Sequence, residues 1–472
     1  MIRTETLCAG NDAVELITIE TPGLGNRSYV AIADNWAVGV DLQRDVDRVH
    51  ALLAERGARL AAVVETHIHN DYVTGGYALA RELDAAYVVP DGPAVTFKAR
   101  RGNHGDVIEA GPLVLRVINS PGHTDAHSSY SLHVGDDPAL AAFTGGSLLL
   151  GGTGRSDLLG KDRFVELATQ QYWTARRLAR ILPSDTRLLP THGFGSHCLA
   201  GEAAVCTSDR LAEQLDINPA YLLDEESFVQ DMLSRLGPIP AYFPKMAPRN
   251  LAGPTAADLS PMTRLPLSVV AARAAAGEQV VDVRARHQFA DGHLPGSVSV
   301  DATGSVATWI GWTNDIDAPI TLVAEDLEQL AQVQRELRRI GVEHLCGYAG
   351  PLVGVRLAST TTATFPEVAR RLRGRAEITF VDVRDPAEWR SGHIKGAIHM
   401  PAYSLGAMPP NAHLYCGVGF RASIAGSLLE RQGIEVTVVD DAVTRAKRAG
   451  IPWCDGRECG DHRCNAALVA AR

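Results

Sequence analysis

One sequence pattern occurs twice in the C-terminal half of this chain. Val-Asp-Val-Arg at residues 281–284 returns at 381–384, a shift of 100 residues. Self-similarity at a fixed spacing indicates a duplicated structural unit. The C-terminal half is therefore expected to fold as two copies of one α/β domain, the first repeat (residues 260–355) and the second repeat (residues 360–455).

The second repeat carries a cysteine that the first repeat lacks. Cys416 opens the loop Cys-Gly-Val-Gly-Phe-Arg, which ends on Arg421 and leads into a helical pattern. A helix N-terminus offers unpaired N–H groups to an anion, so Cys416 is predicted to be a low-pKa nucleophile or sulfur carrier and not an inert buried thiol. Toward the end of the repeat the shift falls to 92, which places Ala324 opposite Cys416. The first repeat is therefore expected to be inactive.

The second repeat resembles a rhodanese (sulfurtransferase) domain. The resemblance rests on the Cys416 loop and on residues 380–398, Phe-Val-Asp-Val-Arg-Asp-Pro-Ala-Glu-Trp-Arg-Ser-Gly-His-Ile-Lys-Gly-Ala-Ile. It implies a parallel α/β domain in which Cys416 carries a persulfide and Arg421 closes the loop and binds an anionic donor. The implied cradle for the sulfur consists of the backbone amides of Gly417, Val418, Gly419 and Phe420. Gly417 stands where the family often has a second basic residue, so the loop lacks one cation that could bind an anionic donor such as thiosulfate.

Length and composition exclude several classes of protein. The 472 residues suggest about three domains. The net charge of −10 and the lack of a basic run argue against binding to nucleic acid or anionic membranes. No signal-peptide pattern or long apolar stretch stands out, and eight cysteines are too sparse for a disulfide scaffold. We expect a cytoplasmic enzyme, with the formation of a homo-oligomer left open.

The last residues, 456–472, form a cysteine-containing tail. Cys459 and Cys464 flank His462, and Cys454 precedes them. Their spacing matches no common zinc pattern, so a flexible end with exposed thiols is preferred to a metal clip.

Histidines follow apolar runs in the first 200 residues. His67 and His69 follow one such run, His123 a second and His192 a third, and Asp71 comes shortly after the first pair. Each run is short and bounded by turn residues, as expected of a buried strand. A lone histidine is more often hydrogen-bonded than ligating, but histidines on three converging loops are what a metal site requires.

These loops resemble the metallo-β-lactamase fold over residues 1–255. Further support comes from Phe-Thr-Gly-Gly at 143–146 and Gly-Arg-Ser-Asp-Leu at 154–158. Within that superfamily the chain is most similar to persulfide dioxygenases fused to rhodanese domains. His-Gly-Phe-Gly-Ser-His-Cys at 192–198 resembles a segment of such fusions and implies a thiol, Cys198, near the metal. The implied architecture is an αββα sandwich followed by two rhodanese-like α/β domains with parallel sheets.

Two positions depart from the superfamily pattern. Tyr72 follows Asp71 where a histidine is usual, and Gly146 stands where the dioxygenases have an iron-binding aspartate beside their two histidines. An aspartate restored at position 146 is therefore expected to raise iron affinity. The candidate ligands are His67, His69, Asp71, His123 and His192. The expected cofactor is one divalent metal, iron in preference to zinc, with low occupancy or absence as the alternative.

The sequence leaves three functions open. The preferred one is oxidation of a small-molecule thiol persulfide to sulfite, coupled to transfer of a sulfane sulfur at Cys416, with thiosulfate as another small-molecule partner. In the second, the N-terminal domain is a metal-free or altered-metal binding module that serves an active rhodanese. The third is a glyoxalase II-like metallo-hydrolase fused to rhodanese, which Gly146 disfavours because two-metal hydrolysis uses the missing aspartate as a bridge.

Overall fold

The computed structural model describes residues 1–9, 12–92, 94–200 and 205–455. The predicted tail, including Cys459, His462 and Cys464, lies outside these residues. The described chain divides into two compact units: unit 1 comprises Met1–Leu259 and Leu337–Gly341, and unit 2 comprises the remainder. None of the helices within the described ranges is both long and apolar enough to span a membrane.

Unit 1 contains two β-sheets. The strands of the first sheet, in their order across it, are β1 (Ile2–Ala9), β2 (Asp12–Thr21), β3 (Asn26–Ala33), β4 (Trp36–Val40), β5 (Arg59–Val64), β6 (Ala86–Pro90) and β7 (Arg100–Gly102). Neighbours are antiparallel from β1 to β4 and parallel from β4 to β7. The strands of the second sheet are β8 (Val107–Ala110), β9 (Leu113–Asn119), β10 (Ser128–Val134), β11 (Ala141–Gly145) and β12 (Arg187–Pro190), also in consecutive order. Only β11 and β12 are parallel among its pairs.

The two sheets pack face to face because their strands are apolar on both sides. In β2, Val14 and Leu16 join the core between the sheets, whereas Ile17 and Ile19 join a second core on the outer face. Successive strand residues point to opposite faces, so a strand buried on both sides reads as a nearly continuous apolar run.

Helices cover both outer faces of the sandwich. The helices of unit 1 are α1 (Asp47–Arg56), α2 (Gly76–Glu82), α3 (Phe164–Ile181), α4 (Leu211–Ile217), α5 (Pro219–Leu222), α6 (Glu225–Arg235) and α7 (Met246–Leu251). Leu53 of α1 and Leu79 of α2 pack on the first sheet. Ala168 of α3 and Phe228 of α6 share a core with Leu188 of the second sheet. The layer order is therefore αββα.

Unit 2 holds the two repeats, each with a parallel sheet, apart from Leu337–Gly341, which belongs to unit 1. The first repeat contains α8 (Leu267–Ala275), β13 (Gln279–Asp282), α9 (Arg286–Asp291), β14 (Val298–Ser299), α10 (Val306–Thr313), β15 (Ile320–Val323), α11 (Leu327–Arg339) and β16 (Leu345–Ala349). The second contains β17 (Thr362–Ala363), α12 (Phe365–Arg373), β18 (Thr379–Asp382), α13 (Pro386–Ser391), β19 (Gly392–Ile394), β20 (Ile398–His399), β21 (Ala412–Tyr415), α14 (Phe420–Glu430), β22 (Thr437–Val439), α15 (Thr444–Arg448) and β23 (Trp453–Asp455). Their sheet orders are β14-β13-β15-β16 and β17-β22-β21-β18-β20.

The repeated Val-Asp-Val-Arg pattern makes the same contact in both copies. Arg384 turns back on Asp382 with Nη2 2.6 Å from Oδ2, and also donates to the carbonyl of Gly392 at 2.7 Å. In the first repeat Arg284 pairs with Asp282, again at 2.6 Å. A buried carboxylate needs such a partner, so the pair fixes the end of the central strand in each repeat.

Strand register identifies the position in the first repeat that corresponds to Cys416. Val323 pairs with Asp282 at the end of β15, as Tyr415 pairs with Asp382 at the end of β21. The next residue is alanine in one repeat and cysteine in the other. The position that holds the thiol in the second repeat therefore holds a methyl group in the first.

Candidate functional site

The histidine loops converge in unit 1. His67 and His69 follow β5, His123 lies between β9 and β10, and His192 follows β12. The ring centroid of His67 is 4.8 Å from that of His123 and 5.3 Å from that of His192. All four side chains are buried.

Backbone contacts hold these loops against one another. His67 forms an isolated bridge with His127. The N–H of Ser128 donates to the carbonyl of Thr66 at 2.7 Å, and the N–H of Thr191 donates to that of Gly145 at 3.0 Å. The loops are thus joined by main-chain bonds, which leaves the imidazoles free to face inward.

Three overlapping sets of side chains could each hold a metal ion, and one of them consists of Asp41, Glu65 and His69. Of the other two, one is His67, His123 and His192, and the second is His69, Asp71 and His192. Within each set, one potential ligand atom per residue lies within 4.8 Å of the others. The Nε2 atoms of His67 and His192 are only 3.3 Å apart.

Hydrogen bonds on the far sides of two rings fix their tautomers. His123 Nδ1 donates to the carbonyl of Arg155 at 2.7 Å, and His192 Nδ1 donates to Oδ1 of Asn26 at 3.0 Å. Because these oxygens only accept, each Nδ1 carries the proton and each neutral ring turns the lone pair of Nε2 toward the cluster. Asn26 also donates to Asp71 Oδ2 at 2.7 Å, which ties Asp71 into the same network.

Three atoms in the cluster are buried without a hydrogen-bond partner: His123 Nε2, His69 Nδ1 and Asp71 Oδ1. A buried polar atom left unpaired costs about 1–3 kcal/mol. Of these atoms, His123 Nε2 and Asp71 Oδ1 are acceptors whose lone pairs a bound cation would satisfy, so the residues present fit a metal.

The protonation states also suit a metal. Burial, reinforced by the charges of neighbouring histidines, lowers the pKa of His67 and of His123 well below the usual value. Burial lowers the pKa of His192 as well, against the raising effect of Asp71. These rings are therefore neutral near pH 7, and the neutral imidazole is the ligating form.

His69 lies in a different electrostatic environment. Its Nε2 is 3.2 Å from Glu65 Oε2 and 3.3 Å from Asp41 Oδ1. Burial lowers its pKa, but the two carboxylates outweigh burial and raise the pKa to about 10. Only Nδ1 of His69 is left to face the cluster. The sequence analysis did not identify Asp41 and Glu65 as part of the site. Each directly follows a buried strand, β4 or β5, and this position at a strand end is the signal that could have identified them.

Tyr72 completes the surroundings of His69. Its hydroxyl donates to the carbonyl of Asp41 at 3.0 Å and lies 2.9 Å from His69 Nε2. The phenol is fully buried and engaged on both sides. Tyr72 therefore takes part in the structural hydrogen bonds around His69.

Gly146 lies against the ring of His123. A Cβ atom built at Gly146 would be 2.2 Å from His123 Cδ2, and the N–H of Gly146 donates to His127 Nε2 at 3.1 Å. The imidazole thus occupies the space that a side chain at this position would need. An aspartate could enter only if His123 moved.

Cys198 lies near the cluster as a neutral thiol. It is buried, and burial together with the charge of Asp71 raises its pKa well above the usual value. Its backbone is fixed by hydrogen bonds to Ser196 Oγ and from the N–H of Arg155.

The second predicted site lies in unit 2, where Cys416 follows β21 in the turn that leads into α14. Gly419, with φ of 94°, caps the N-terminus of α14, and its N–H donates to Cys416 Sγ at 3.2 Å. Cys416 is buried, whereas Val418 is exposed at the loop tip. A backbone amide and a helix N-terminus at the sulfur both favour negative charge there.

Arg421 lies beside the loop but is already paired. Its guanidinium contacts Asp385 Oδ2 at 2.9 Å and Glu388 Oε1 at 2.8 Å. Burial lowers the pKa of Arg421, and Glu388 with its other anionic neighbours raises it overall. The arginine that the sequence assigned to an anionic donor therefore has two protein carboxylates as its partners.

The C-terminal site lies in a recognised domain. Residues 365–448 match the family model of the rhodanese-like domain. The N-terminal fold is equally clear: a metallo-β-lactamase from Staphylococcus aureus aligns with a TM-score of 0.64 and 23% identity over 72% of this chain and 99% of its own. This chain joins a metallo-β-lactamase fold to a rhodanese-like domain. The predicted fusion and the predicted α/β fold class are confirmed.

Relatives of the metallo-β-lactamase region include two kinds of enzyme. Human mitochondrial persulfide dioxygenase is 28% identical over 200 residues, covering 42% of this chain and 72% of the dioxygenase. A hydroxyacylglutathione hydrolase from Rhodopseudomonas palustris is 32% identical over 146 residues, 30% of this chain and 52% of the hydrolase. A mouse hydroxyacylglutathione hydrolase-like protein is 28% identical over 170 residues, 35% of this chain and 57% of its own length. The chain thus spans just over half of the length of these two hydrolase relatives.

Proposed function

We propose that this chain is an enzyme of sulfur metabolism. Unit 1 oxidises the persulfide of a low-molecular-weight thiol to sulfite, and Cys416 of the rhodanese-like domain accepts or donates a sulfane sulfur. The observation that carries the proposal is the buried histidine cluster, with His123 Nε2 unpaired, in the same chain as a thiol at a helix N-terminus. Two sites on one chain raise the effective concentration of a shared intermediate.

In unit 1 the proposed ligands are His67, His123 and His192, with Asp71 and His69 Nδ1 close by. Iron is preferred to zinc because the reaction is a redox reaction and persulfide dioxygenases are among the relatives. When bound, iron would supply the redox chemistry by which dioxygen oxidises the terminal sulfur. One dioxygen and one water convert one persulfide into one thiol, one sulfite and two protons.

The residues around the ligands orient and enclose the site. Arg155 and Asn26 hold two imidazoles with their lone pairs inward, and burial keeps water away from them. A cavity of about 490 Å³ adjoins the histidine loops, with Asn70, Asp91 and Thr124 among its lining residues. We infer that the thiol part of the substrate occupies this cavity.

A hydrolase is the second candidate for unit 1. The set His69, Asp71 and His192 offers a second group of ligand atoms, and hydroxyacylglutathione hydrolases are among the relatives. Against it, the hydroxyl of Tyr72 contacts His69 Nε2, and Gly146 supplies no carboxylate to bridge two metals. A metal-free binding module is the remaining alternative.

At Cys416 the proposed step is thiol attack on a sulfane sulfur. The thiolate forms a bond from Sγ to the outer sulfur of the donor, and the donor's own sulfur–sulfur bond breaks. The electron pair leaves with sulfite if the donor is thiosulfate, or with a thiolate if it is a persulfide. The N–H of Gly419, which donates to Sγ, stabilises the anionic forms.

Oxygen consumption and sulfur transfer test the two halves separately. We expect the purified full-length chain, loaded with ferrous iron, to consume oxygen with glutathione persulfide and to produce sulfite. His123→Ala should lose that activity and retain thiocyanate formation from a sulfur donor and cyanide. Cys416→Ser should do the reverse, so each variant is the control for the other.

Three results would refute parts of the proposal. Hydrolysis of a hydroxyacyl thioester of glutathione without oxygen consumption would select the hydrolase. A histidine cluster that takes up no iron or zinc would select the binding module. Wild-type thiocyanate formation by Cys416→Ser would remove the sulfur-carrier role.

A further inference from the structure

The first repeat forms part of the surroundings of Cys416, although it has no thiol of its own. Trp309 of α10 packs against the core that contains Cys416 and meets Phe420 edge to face, with ring centroids 6.3 Å apart. Gly304 lies so close that a Cβ there would be 2.5 Å from the Phe420 ring. Trp312 stacks on Tyr403 of the second repeat at 4.5 Å. Side chains of the first repeat thus pack beside Phe420, the first residue of α14, and against the core that contains Cys416.

The first repeat also places an arginine beside the loop. Arg286 begins α9, and its Nε donates to Asp440 Oδ1 at 2.7 Å. That same oxygen lies against Gly419, where a Cβ would be only 2.0 Å from it. The N–H of Gly419 in turn donates to Cys416 Sγ. Asp440 therefore links the guanidinium of Arg286 to the residue that contacts the sulfur.

Arg286 differs from Arg421 in what remains available to a ligand. Arg421 is 17% exposed and spends both terminal nitrogens on Asp385 and Glu388. The side chain of Arg286 is 32% exposed, and its Nη1 is 3.7 Å from Asp301. The hydrogen bonds of Arg286 to other described residues use its backbone N–H and its Nε, and Nη2 makes none. Arg286 therefore keeps N–H donors that a ligand can use.

The charges around Arg286 fit this placement. Burial lowers its pKa, but the hydrogen bond and charge of Asp440, the charge of Asp301 and the nearby Cys416 raise it overall. The cation therefore interacts with the thiol site itself as well as with its two carboxylate partners.

We propose that Arg286, supplied by the repeat without a thiol, binds the anionic end of the sulfur donor at Cys416. The chemical class of ligand is a sulfane-sulfur donor whose leaving group is an oxyanion, of which thiosulfate is the simplest. A guanidinium suits this task because its planar N–H groups match the oxygens of such an anion. This inference rests on the proposed role of Cys416.

The cation acts where negative charge develops. When Sγ of Cys416 bonds to the outer sulfur of thiosulfate, the sulfur–sulfur bond breaks and its electron pair leaves with sulfite. Donors aimed at the departing oxyanion stabilise the transition state as well as the bound substrate. Asp440 positions the arginine for this, since it holds Nε and contacts Gly419 at the same time.

Steady-state sulfur transfer from thiosulfate to cyanide, measured on the full-length chain, tests the assignment. Arg286→Met should raise the KM for thiosulfate about tenfold to hundredfold, the usual effect of losing one hydrogen bond to a charged group. Arg286→Lys, which keeps the charge, should lie between wild type and Arg286→Met. The wild-type KM should rise with added salt, and this dependence should weaken in Arg286→Met.

Two comparisons separate charge recognition from a structural role. Arg273 is a matched control because it is 29% exposed and pairs with Glu278 inside the first repeat, so Arg273→Met should leave the KM unchanged. Cysteamine persulfide carries a cationic amine in place of an oxyanion, so its KM should not rise in Arg286→Met.

The outcomes are distinct. An unchanged KM for thiosulfate in Arg286→Met, with transfer still abolished by Cys416→Ser, overturns the inference and leaves the proposed function intact. An equal rise in KM for thiosulfate and for cysteamine persulfide also overturns the inference, as does a lower Tm with no selective change in KM. Either result would show that Arg286 only stabilises the packing of the two repeats. If Arg286→Met does not fold, the test uses Arg286→Lys instead. A wild-type KM and a wild-type salt dependence in Arg286→Lys would contradict binding of the anion by the planar guanidinium. Transfer that survives Cys416→Ser removes the proposed function itself.

Discussion

Adding one methyl group at Gly146 should disturb the histidine cluster. The new Cβ would lie 2.2 Å from Cδ2 and 2.6 Å from Nε2 of His123. Carbon atoms in contact are normally about 3.5–4.0 Å apart, so the imidazole must retreat by more than about 1 Å. Such a movement breaks the 2.7 Å hydrogen bond from His123 Nδ1 to the carbonyl of Arg155.

The cost can be built from these two effects. Overpacking of a tight interior costs about 1–3 kcal/mol, and loss of the hydrogen bond adds about 1 kcal/mol. Gly146→Ala should therefore lower the free energy of unfolding of unit 1 by about 2–4 kcal/mol. The hydrogen bond also orients a proposed ligand, and loss of such support weakens metal affinity by about 10–100-fold.

Two measurements check this expectation. Urea denaturation of the metal-free protein, followed by hydrogen exchange of peptides around His123, gives the loss of stability and its location. Titration with ferrous iron gives the affinity. Gly237→Ala is the control, because a Cβ there meets nothing within 4 Å. Wild-type stability and affinity in Gly146→Ala would refute the argument.

The same geometry changes the expectation for an aspartate at position 146. The sequence alone suggests that Gly146→Asp adds a ligand, but the side chain would have to displace His123 to reach the cluster. We therefore expect Gly146→Asp to exchange one ligand for another, with no gain in metal stoichiometry. A gain would show that His123 can move aside without leaving the metal.

Three further expectations follow from buried groups. Removing the imidazole in His123→Ala should reduce bound metal to well below one equivalent by elemental analysis, whereas a full equivalent would exclude His123 as a ligand. Burial lowers the pKa of His127 to about 3, so below pH 6.5 the unfolded chain binds more protons than the folded one. The metal-free protein should therefore lose stability progressively as the pH falls from about 6.5 toward 3. A denaturation midpoint that does not change with pH over that range would contradict this. Arg384→Met leaves the buried Asp382 without its partner and should lower the free energy of unfolding, measured by urea denaturation, by about 3–5 kcal/mol. Arg370 is exposed, so Arg370→Met should lower it by less than about 0.5 kcal/mol. Equal effects of the two substitutions would contradict the importance of the buried pair.

Local patterns in the sequence determined much of this protein. The duplicated Val-Asp-Val-Arg pattern predicts two related domains because the motif forms its own contact, Arg384 on Asp382, within three residues. Apolar runs followed by His67 or His123 predict buried strands that place histidines on the adjoining loops. The Cys416 loop predicts a thiol at a helix start because glycine and the following helical pattern are adjacent along the chain. In each case the signal and the structure it specifies lie within a few residues of each other.

Tertiary structure alone decided the partners of several other charged side chains. The sequence offered Arg421 for an anionic donor, but folding brings Asp385 and Glu388 to it from α13 and its cap. Arg286 reaches Asp440 from another repeat, and the pairing of His69 with Asp41 joins two different strand ends. These contacts join residues far apart in sequence, and no periodicity or motif records them. They are fixed by how strands and helices pack, since a buried charge takes whichever opposite charge the packing places within about 4 Å.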